Sequence, residues 1–532
     1  MQNITQLIKN GGASLGIEFG STRIKAVLID SKGTILATAG FDWENRFIDG
    51  IWTYSERDIW QGLQAAYKNL SQSVQQQYGI VLEKLQSIGI SAMMHGYMPF
   101  NTRNELLVPF RTWRNNITSQ AAAQLTELFQ YNIPQRWSIA HLYQAILNQE
   151  SHIQNITYLT TLSGYIHWQL TGEKVLGVGD ASGMFPINIQ SGTFDQSMMA
   201  KFNTLLAEKN IHLPLDSLFP TVLPAGKYAG KLTQASALKL DPTGHLQAGI
   251  PFCPPEGDAG TGMVATNAVR EKTGNISAGT SAFAMIVLSK TLSKVYEQLD
   301  MVTTPSGKPV AMAHSNNCTS DINAWMNLFG ECLSAFNLNV STNQLYETLF
   351  SQALNGDEDC GNLLAYGFYS GEHGVGLTEG CPMFMHPMNA RFNLANFMRV
   401  HLYTAFGAMK LGMDILLQRE KVEIERILAH GGIFKTKNIA QRILAAALNT
   451  PIAVMNTAGE GGAWGAALLA NYLTYTDDSL EDYLDKHIFA HTEQTVCLPD
   501  EAMSQGYQRF MQRYQQGISI VQQAIESRIT KI

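Results

Sequence analysis

The chain has 532 residues, a formal net charge of −7 and 45% hydrophobic residues. That length exceeds one ordinary core and suits two large domains, with no disordered class in view. Mild acidity without a Lys/Arg block argues against nucleic acid or an anionic membrane as partner and favours a small diffusible one. The six cysteines, Cys253, Cys318, Cys332, Cys360, Cys381 and Cys497, form no CxxC pair. A structural zinc site and a disulfide framework are therefore disfavoured, and a reducing cytoplasm is expected. The N-terminal residues offer neither a basic nor an apolar signal region. No uncharged apolar run approaches the roughly 20 residues of a membrane span.

Strand-like and helix-like stretches alternate, which predicts an α/β protein. Residues 14–30, SLGIEFGSTRIKAVLID, read as two strands around the turn Gly20-Ser21-Thr22. Residues 55–78 read as an amphipathic helix with Ser55 as N-cap and Asp58 in its first turn. Residues 85–92 read as a buried strand entering the loop MMHGYM, and 120–131 has helical composition. In 252–267, Pro254-Pro255 and the glycines of EGDAGTG predict a loop that feeds a helix around 263–268. Residues 273–289 again read as strand, turn, strand. Residues 427–448 read as strand, glycine turn and helix, 451–455 as a strand, and 459–469 as a Gly/Ala-rich turn and helix. Residues 503–529 read as a surface helix.

Two of these stretches echo each other. IEFGSTRIKAVLI (17–29) and ISAGTSAFAMIVL (276–288) share a plan of apolar strand, Gly, two hydroxyl residues and second apolar strand. Their half-chain spacing predicts a duplicated domain. Each turn also suits phosphate: a tight Gly turn exposes successive N–H groups, and Ser/Thr hydroxyls add donors. Gly20, Ser21 and Thr22 offer this once, Gly279 and Thr280 a second time, and Lys25 could add a cation. Taken singly, each is an ordinary hairpin turn.

Other nucleotide signatures are missing. GKYAGKL (226–232) lacks the P-loop spacing, and GVGDASG (177–183) lacks the dinucleotide spacing. Asp258, in Gly257-Asp258-Ala259-Gly260, reads equally as a helix cap or as a base that accepts a hydroxyl proton during phosphoryl transfer. Met94-His95-Gly96 follows a buried strand; His could donate to a sugar oxygen and Gly could leave room for it, or His95 is a satisfied core residue. Trp113-Arg114-Asn115 combines an aromatic face with polar groups suited to a polyol, or is a rim tryptophan. Gly431-Gly432 form a turn that could admit an adenine or ribose.

In order, IEFGSTRIK, MMHG, GDAG, SAGTS, GGIFKTKN and EGGAWGAALLA resemble the FGGY carbohydrate kinases over nearly the whole chain. The resemblance implies two ribonuclease-H-like (actin-type ATPase) domains flanking a central cleft. Residues 1–268 would bind the sugar and carry the catalytic Asp; residues 269–532 would bind ATP. Asp258 would be the general base. Gly20, Ser21, Thr22 and Lys25 would form the first phosphate element, Gly279 and Thr280 the second, and Gly431 and Gly432 the adenosine pocket. Met94, His95 and Gly96 look like a xylulokinase loop, whereas GGIFKTKN is similar to the ribulokinase version. The implied reaction is in-line transfer from ATP with Mg²⁺ to a ketopentose such as xylulose. A ribulose-type acceptor or an actin-type ATP-binding sugar sensor are the alternatives. Two residues depart from the pattern: Glu18 stands where Asp is usual, and its extra methylene would push the carboxylate deeper or bridge it to Mg²⁺ through water; Asn115 stands where Asp is usual. A homodimer is left open as the assembly.

Overall fold

The structure is a computed structural model and describes residues 2–455, 461–475, 477–492 and 494–527. The chain divides into two compact units, Met1–Arg270 with Met301–Val310 and Gly459–Thr492, and Glu271–Asp300 with Ala311–Ala458 and Glu493–Ile532.

In the first unit, β1 (Ser14–Phe19), β2 (Arg23–Ile29) and β3 (Ile35–Asp42) form an antiparallel meander. Helix α1 (Glu56–Tyr78) returns the chain to β4 (Ser87–Ala92), which runs parallel to β1 on its other side. The short β5 (Glu256–Gly257) pairs with β4, completing the order β5-β4-β1-β2-β3. Central β1 and β4 are almost entirely buried on both faces, whereas edge strand β3 is exposed at both ends. Ile17, Phe19, Ile88 and Ile90 are almost completely buried, and each such side chain contributes about 1.5–3 kcal/mol. The expected cap of α1 is present: Ser55 accepts the Asp58 N–H at 3.0 Å, and Gly79 ends the helix at φ 70°.

Helix α2 (Asp258–Ala265) follows β5 directly, and α3 (Gly461–Tyr472) lies across the opposite sheet face from α1. The approach of α3 is set by glycine. A Cβ on Gly16 would stand 2.0 Å from the Ala463 carbonyl oxygen, and one on Gly89 would stand 2.2 Å from that of Ala466. Helix α2 starts earlier than the helix around 263–268 that the sequence predicts. The prolines keep residues 254–255 out of it, but Gly257 serves as N-cap and the GDAGTG segment is helical from Asp258. Helical glycines cost about 1 kcal/mol each relative to Ala. Here packing against α3 overrides that local preference.

The second unit repeats the plan. Its β6 (Thr273–Ala278) and β7 (Ala282–Val287) form an antiparallel hairpin. Parallel to β6 lies β8 (Arg426–His430), and helix Ile439–Leu448 leads to β9 (Ile452–Met455), parallel to β8. Hairpin, then parallel neighbour on the first strand: both units have the ribonuclease-H-like, actin-type α/β core, in line with the echo between 17–29 and 276–288. The C-terminal helix Glu501–Glu526 is not merely superficial. Tyr507, Phe510 and Tyr514 on one face are fully buried. Its expected end at Ile529, and Gly459 and Glu460 of the Gly/Ala-rich turn, lie outside the described residues.

Candidate active site

Both hairpin turns hide their carbonyl acceptors, and the Gly20 and Gly279 N–H groups close the turns onto the Arg23 and Ser281 carbonyls. In the first, the Trp43 indole N–H donates to the Gly20 carbonyl at 2.7 Å, the Tyr54 hydroxyl to that of Ser21 at 2.6 Å, and the Trp43 backbone N–H to that of Thr22 at 3.1 Å. Trp43 and Tyr54 stack at 4.0 Å, which fixes both donors. In the second, the Thr319 N–H and hydroxyl hold the Gly279 carbonyl, and the Cys318 N–H holds that of Thr280. With their carbonyls occupied, the turns are left electropositive, as anion nests require. Gly431 joins the second turn: at φ 119° its missing Cβ would lie 2.1 Å from the Ala278 oxygen, while Gly432 faces open space.

Glu18 and Lys25 are register partners on the face of the first sheet that α3 covers. The Glu18 carboxylate fills the place a Cβ on Gly462 would need, only 2.5 Å away, with the Thr261 hydroxyl 3.0 Å from the same point. Thr261 in turn hydrogen-bonds Ser91 at 2.8 Å. Glu18 is thus accommodated by the first turn of one helix and bordered by the helix that begins at Asp258.

Asp258 is half-buried at the start of α2, where Gly257 takes the capping position. Its Oδ1 accepts the Met94 N–H at 3.1 Å and the Ala259 N–H at 2.9 Å, so Oδ2 is the oxygen neither donor holds. Burial raises its pKa, against the lowering effect of those two N–H groups. The base candidate is therefore tied to the loop that carries His95. His95 is buried at φ 72°, an uncommon conformation outside glycine, and its Nδ1 donates to the Gly183 carbonyl at 3.1 Å. In the neutral ring that bond makes Nδ1 the protonated nitrogen.

Two expected roles change. Gly96 does not leave space: at φ 98° its missing Cβ would lie 2.7 Å from the Phe110 ring and 2.9 Å from the Arg111 oxygen. Its absence of a side chain serves the backbone turn. Asn115 is buried and committed to the backbone, accepting the Trp52 N–H at 2.8 Å and donating to the Trp52 and Thr112 carbonyls at 2.8 and 2.9 Å. It braces the strand Ile51–Thr53 instead of facing outward; Trp113 beside it is exposed.

Sequence reasoning missed two carboxyls and an indole. Asp180 is buried, its Oδ2 accepting the Thr161 and Ser163 hydroxyls at 2.6 and 2.5 Å. Glu256 is buried beside it, accepting the Gly179 N–H at 3.2 Å and the Asp180 N–H at 2.8 Å. Trp137 stacks on His95 with its buried indole N–H unpaired among the described residues. GVGDASG flanks Asp180 with glycines, but its spacing fits no nucleotide motif and nothing in it points to Glu256.

Burial, with Asp180 beside it, pushes the Glu256 carboxyl up to about 8, and burial pushes Asp180 up to about 6. Both bind a proton more tightly folded than unfolded. Their contribution to stability is therefore fully present below the ordinary carboxylate range and is lost as pH rises through those values. Thermal melting of wild type should fall from about pH 4 to about pH 8 and level off above that, and Glu256→Gln should flatten that fall by roughly 5 °C. Parallel pH profiles for the two proteins would show that Glu256 does not titrate in this range.

The N-terminal domain of the FGGY family of carbohydrate kinases matches residues 13–265, and the family's C-terminal domain matches residues 274–474. The chain is 19% identical over 511 residues to the xylulose kinase of Lactococcus lactis, covering 94% of this chain and 95% of that protein. It is 22% identical over 284 residues to the uncharacterized sugar kinase YgcE of Escherichia coli, covering 53% of this chain and about half, 48%, of that protein. The ligand-bound xylulose kinase of Lactobacillus acidophilus superposes with a TM-score of 0.77 at 17% identity, over 97% of this chain and 99% of that one. The gluconate kinase of the same organism gives the same TM-score and identity, over 96% of this chain and 98% of that one. At such identities the solved structures speak for the fold and leave the sugar open. With both domains matched in order along most of its length, the chain belongs to the FGGY family of carbohydrate kinases.

Proposed function

We propose that this kinase transfers the γ-phosphoryl group of ATP to a hydroxyl of a small ketose, with a ketopentose such as xylulose the first candidate. The observation that carries the reading is the Met94 N–H bond to Asp258, which sets the base candidate against the Met94-His95 loop. Asp258 Oδ2 takes the proton of the attacking hydroxyl as the oxygen attacks phosphorus in line. The hydroxyl-rich turns Gly20–Thr22 and Gly279-Thr280 hold phosphate oxygens through the N–H and hydroxyl groups of Ser21, Thr22 and Thr280, with the glycines shaping the turns, and Lys25 adds positive charge. Gly431 and Gly432 form one wall of the adenosine site. Residues 1–268 serve the sugar and 269–532 the nucleotide. Mg²⁺ arriving with ATP neutralises phosphate charge; Glu18, a carboxylate flanked by the Thr261 hydroxyl, is the residue of this chain suited to hold it through water.

The choice of a xylulose-type sugar rests on Met94-His95-Gly96 and on the likeness to the Lactococcus protein. The Trp137 indole N–H, stacked beside His95, supplies a donor for a hydroxylated ligand. All six cysteines are free thiols, which supports a reducing cytoplasm. Among the described residues no helix is long and apolar enough to cross a membrane. Coupled ADP release with a panel of ketoses, polyols and aldonates, with the product's phosphate position read by NMR, tests the reading. Acceleration by a ketopentose supports it. Acceleration by gluconate or glycerol alone would replace the substrate, and sugar binding without ADP release would make the protein a sensor.

A further inference from the structure

Three separate chain segments meet at Asp258, and each is bonded to the other two. The Met94 N–H holds Asp258, His95 Nδ1 holds the Gly183 carbonyl, and the Gly179 and Asp180 N–H groups hold Glu256, two residues before Asp258. The ring closes through short backbone links at 94–95, 179–183 and 256–258. The 177–183 turn is moulded to the Glu256 carboxyl: a Cβ on Gly177 would stand 2.2 Å from Oε1, and one on Gly179 would stand 2.4 Å from Oε2. A fully buried carboxyl is costly, and an apolar side chain would fill the same volume without that cost. Only an acceptor pair, however, satisfies two converging buried N–H groups, each of which costs about 1–3 kcal/mol when left unpaired.

We propose that Glu256 is a positioning residue for phosphoryl transfer: it clasps the 177–183 turn to the start of α2 and so fixes Asp258 relative to the His95 loop. This rests on the reading of Asp258 as the base. Glu256 touches no reacting atom. It acts by setting the segment that carries Asp258 and the turn that anchors His95. Misplacing a catalytic group by about 1 Å can cost up to 100-fold in rate.

The test uses the full chain, with D-xylulose or the best acceptor of the panel above. Glu256→Gln keeps the volume but turns an N–H group toward an N–H donor. It should lower kcat for sugar phosphorylation about tenfold while the KM for ATP stays within about twofold. ATP hydrolysis without sugar, per folded protein, should be unchanged, so the ratio of the two rates falls. Gly179→Ala pushes on the same contact from the other side and should do likewise; Glu256→Asp, which keeps the carboxyl group on a shorter stem, should lie between. Wild-type kcat and ratio in any folded member of the set overturns the proposal. So does a fall of both rates in parallel, or failure of all three variants to fold, since Glu256 would then serve the fold alone. Asp258→Asn separates the two readings. If it retains wild-type turnover, the base assignment fails; if it is inactive while Glu256→Gln is normal, only the clasp fails.

Discussion

Asp258→Asn is expected to lower sugar phosphorylation by about 10²–10⁴-fold, the share a positioned general base contributes, with ATP affinity within about twofold of wild type. The side chain is isosteric, and both of its observed hydrogen bonds fall on Oδ1. Asn can keep Oδ1 toward the Met94 and Ala259 N–H groups, so the 94–96 loop should hold its place. What changes is the second atom: an NH₂ group stands where Oδ2 stood, and it cannot take a proton from the attacking hydroxyl. Stability should move the other way. Burial raises the Asp258 pKa, so the ionised form is disfavoured in the fold, increasingly so as pH rises. Asn removes that penalty, so the melting temperature should equal or exceed that of wild type, with the gain larger at pH 8 than at pH 5. Coupled ADP release, calorimetric titration with ATP and thermal melting check the three parts. Wild-type turnover would take Asp258 out of the mechanism. A lowered melting temperature with normal turnover would mark it as a purely structural residue.

The sequence made some of this site plain and concealed the rest, for a physical reason. The two hairpins were readable because their pairing is local: Glu18 meets Lys25 and Ser277 meets Phe283 across turns of a few residues. A Gly and two hydroxyls in such a turn leave few other conformations. The start of α2 was not readable, because GDAGTG has poor helical propensity and the partner that overrides it, α3, lies far along the chain. Asn115 looked like a reader of hydroxyls because it stands beside Trp113. Only the position of Trp52 shows that its amide is already spent on the backbone. Glu256 and Asp180 are isolated acids in the sequence. Their meeting is a tertiary event, and nothing in either neighbourhood announces it.

Gly465→Ala is expected to destabilise the first unit by roughly 2–3 kcal/mol, although the same change in an open helix position would gain about 1 kcal/mol. The sign is decided by what the added Cβ meets. At Gly465 it would stand 2.0 Å from the Thr261 carbonyl oxygen, 2.8 Å from its carbon and 3.1 Å from its Cα. These are backbone atoms of a packed helix and cannot swing aside as a flexible side chain would. Relief requires α3 to lift from α2. Gly262, also helical and with nothing within 4 Å of its Cβ position, is the matched control, where Ala should be neutral or stabilising. The consequence reaches the chemistry because both helices carry it. Thr261 lies one turn from Asp258 and bonds Ser91, and Gly462, one turn before Gly465, makes room for Glu18. Lifting α3 should therefore lower the melting temperature by roughly 4–12 °C and lower kcat in the protein that remains folded, whereas Gly262→Ala should not lower the melting temperature. Thermal melting and coupled kinetics of the two variants side by side check this. A Gly465→Ala protein with wild-type melting and turnover would mean that α2 and α3 do not meet backbone to backbone, and the Glu18–Asp258 corner would have to be assembled differently.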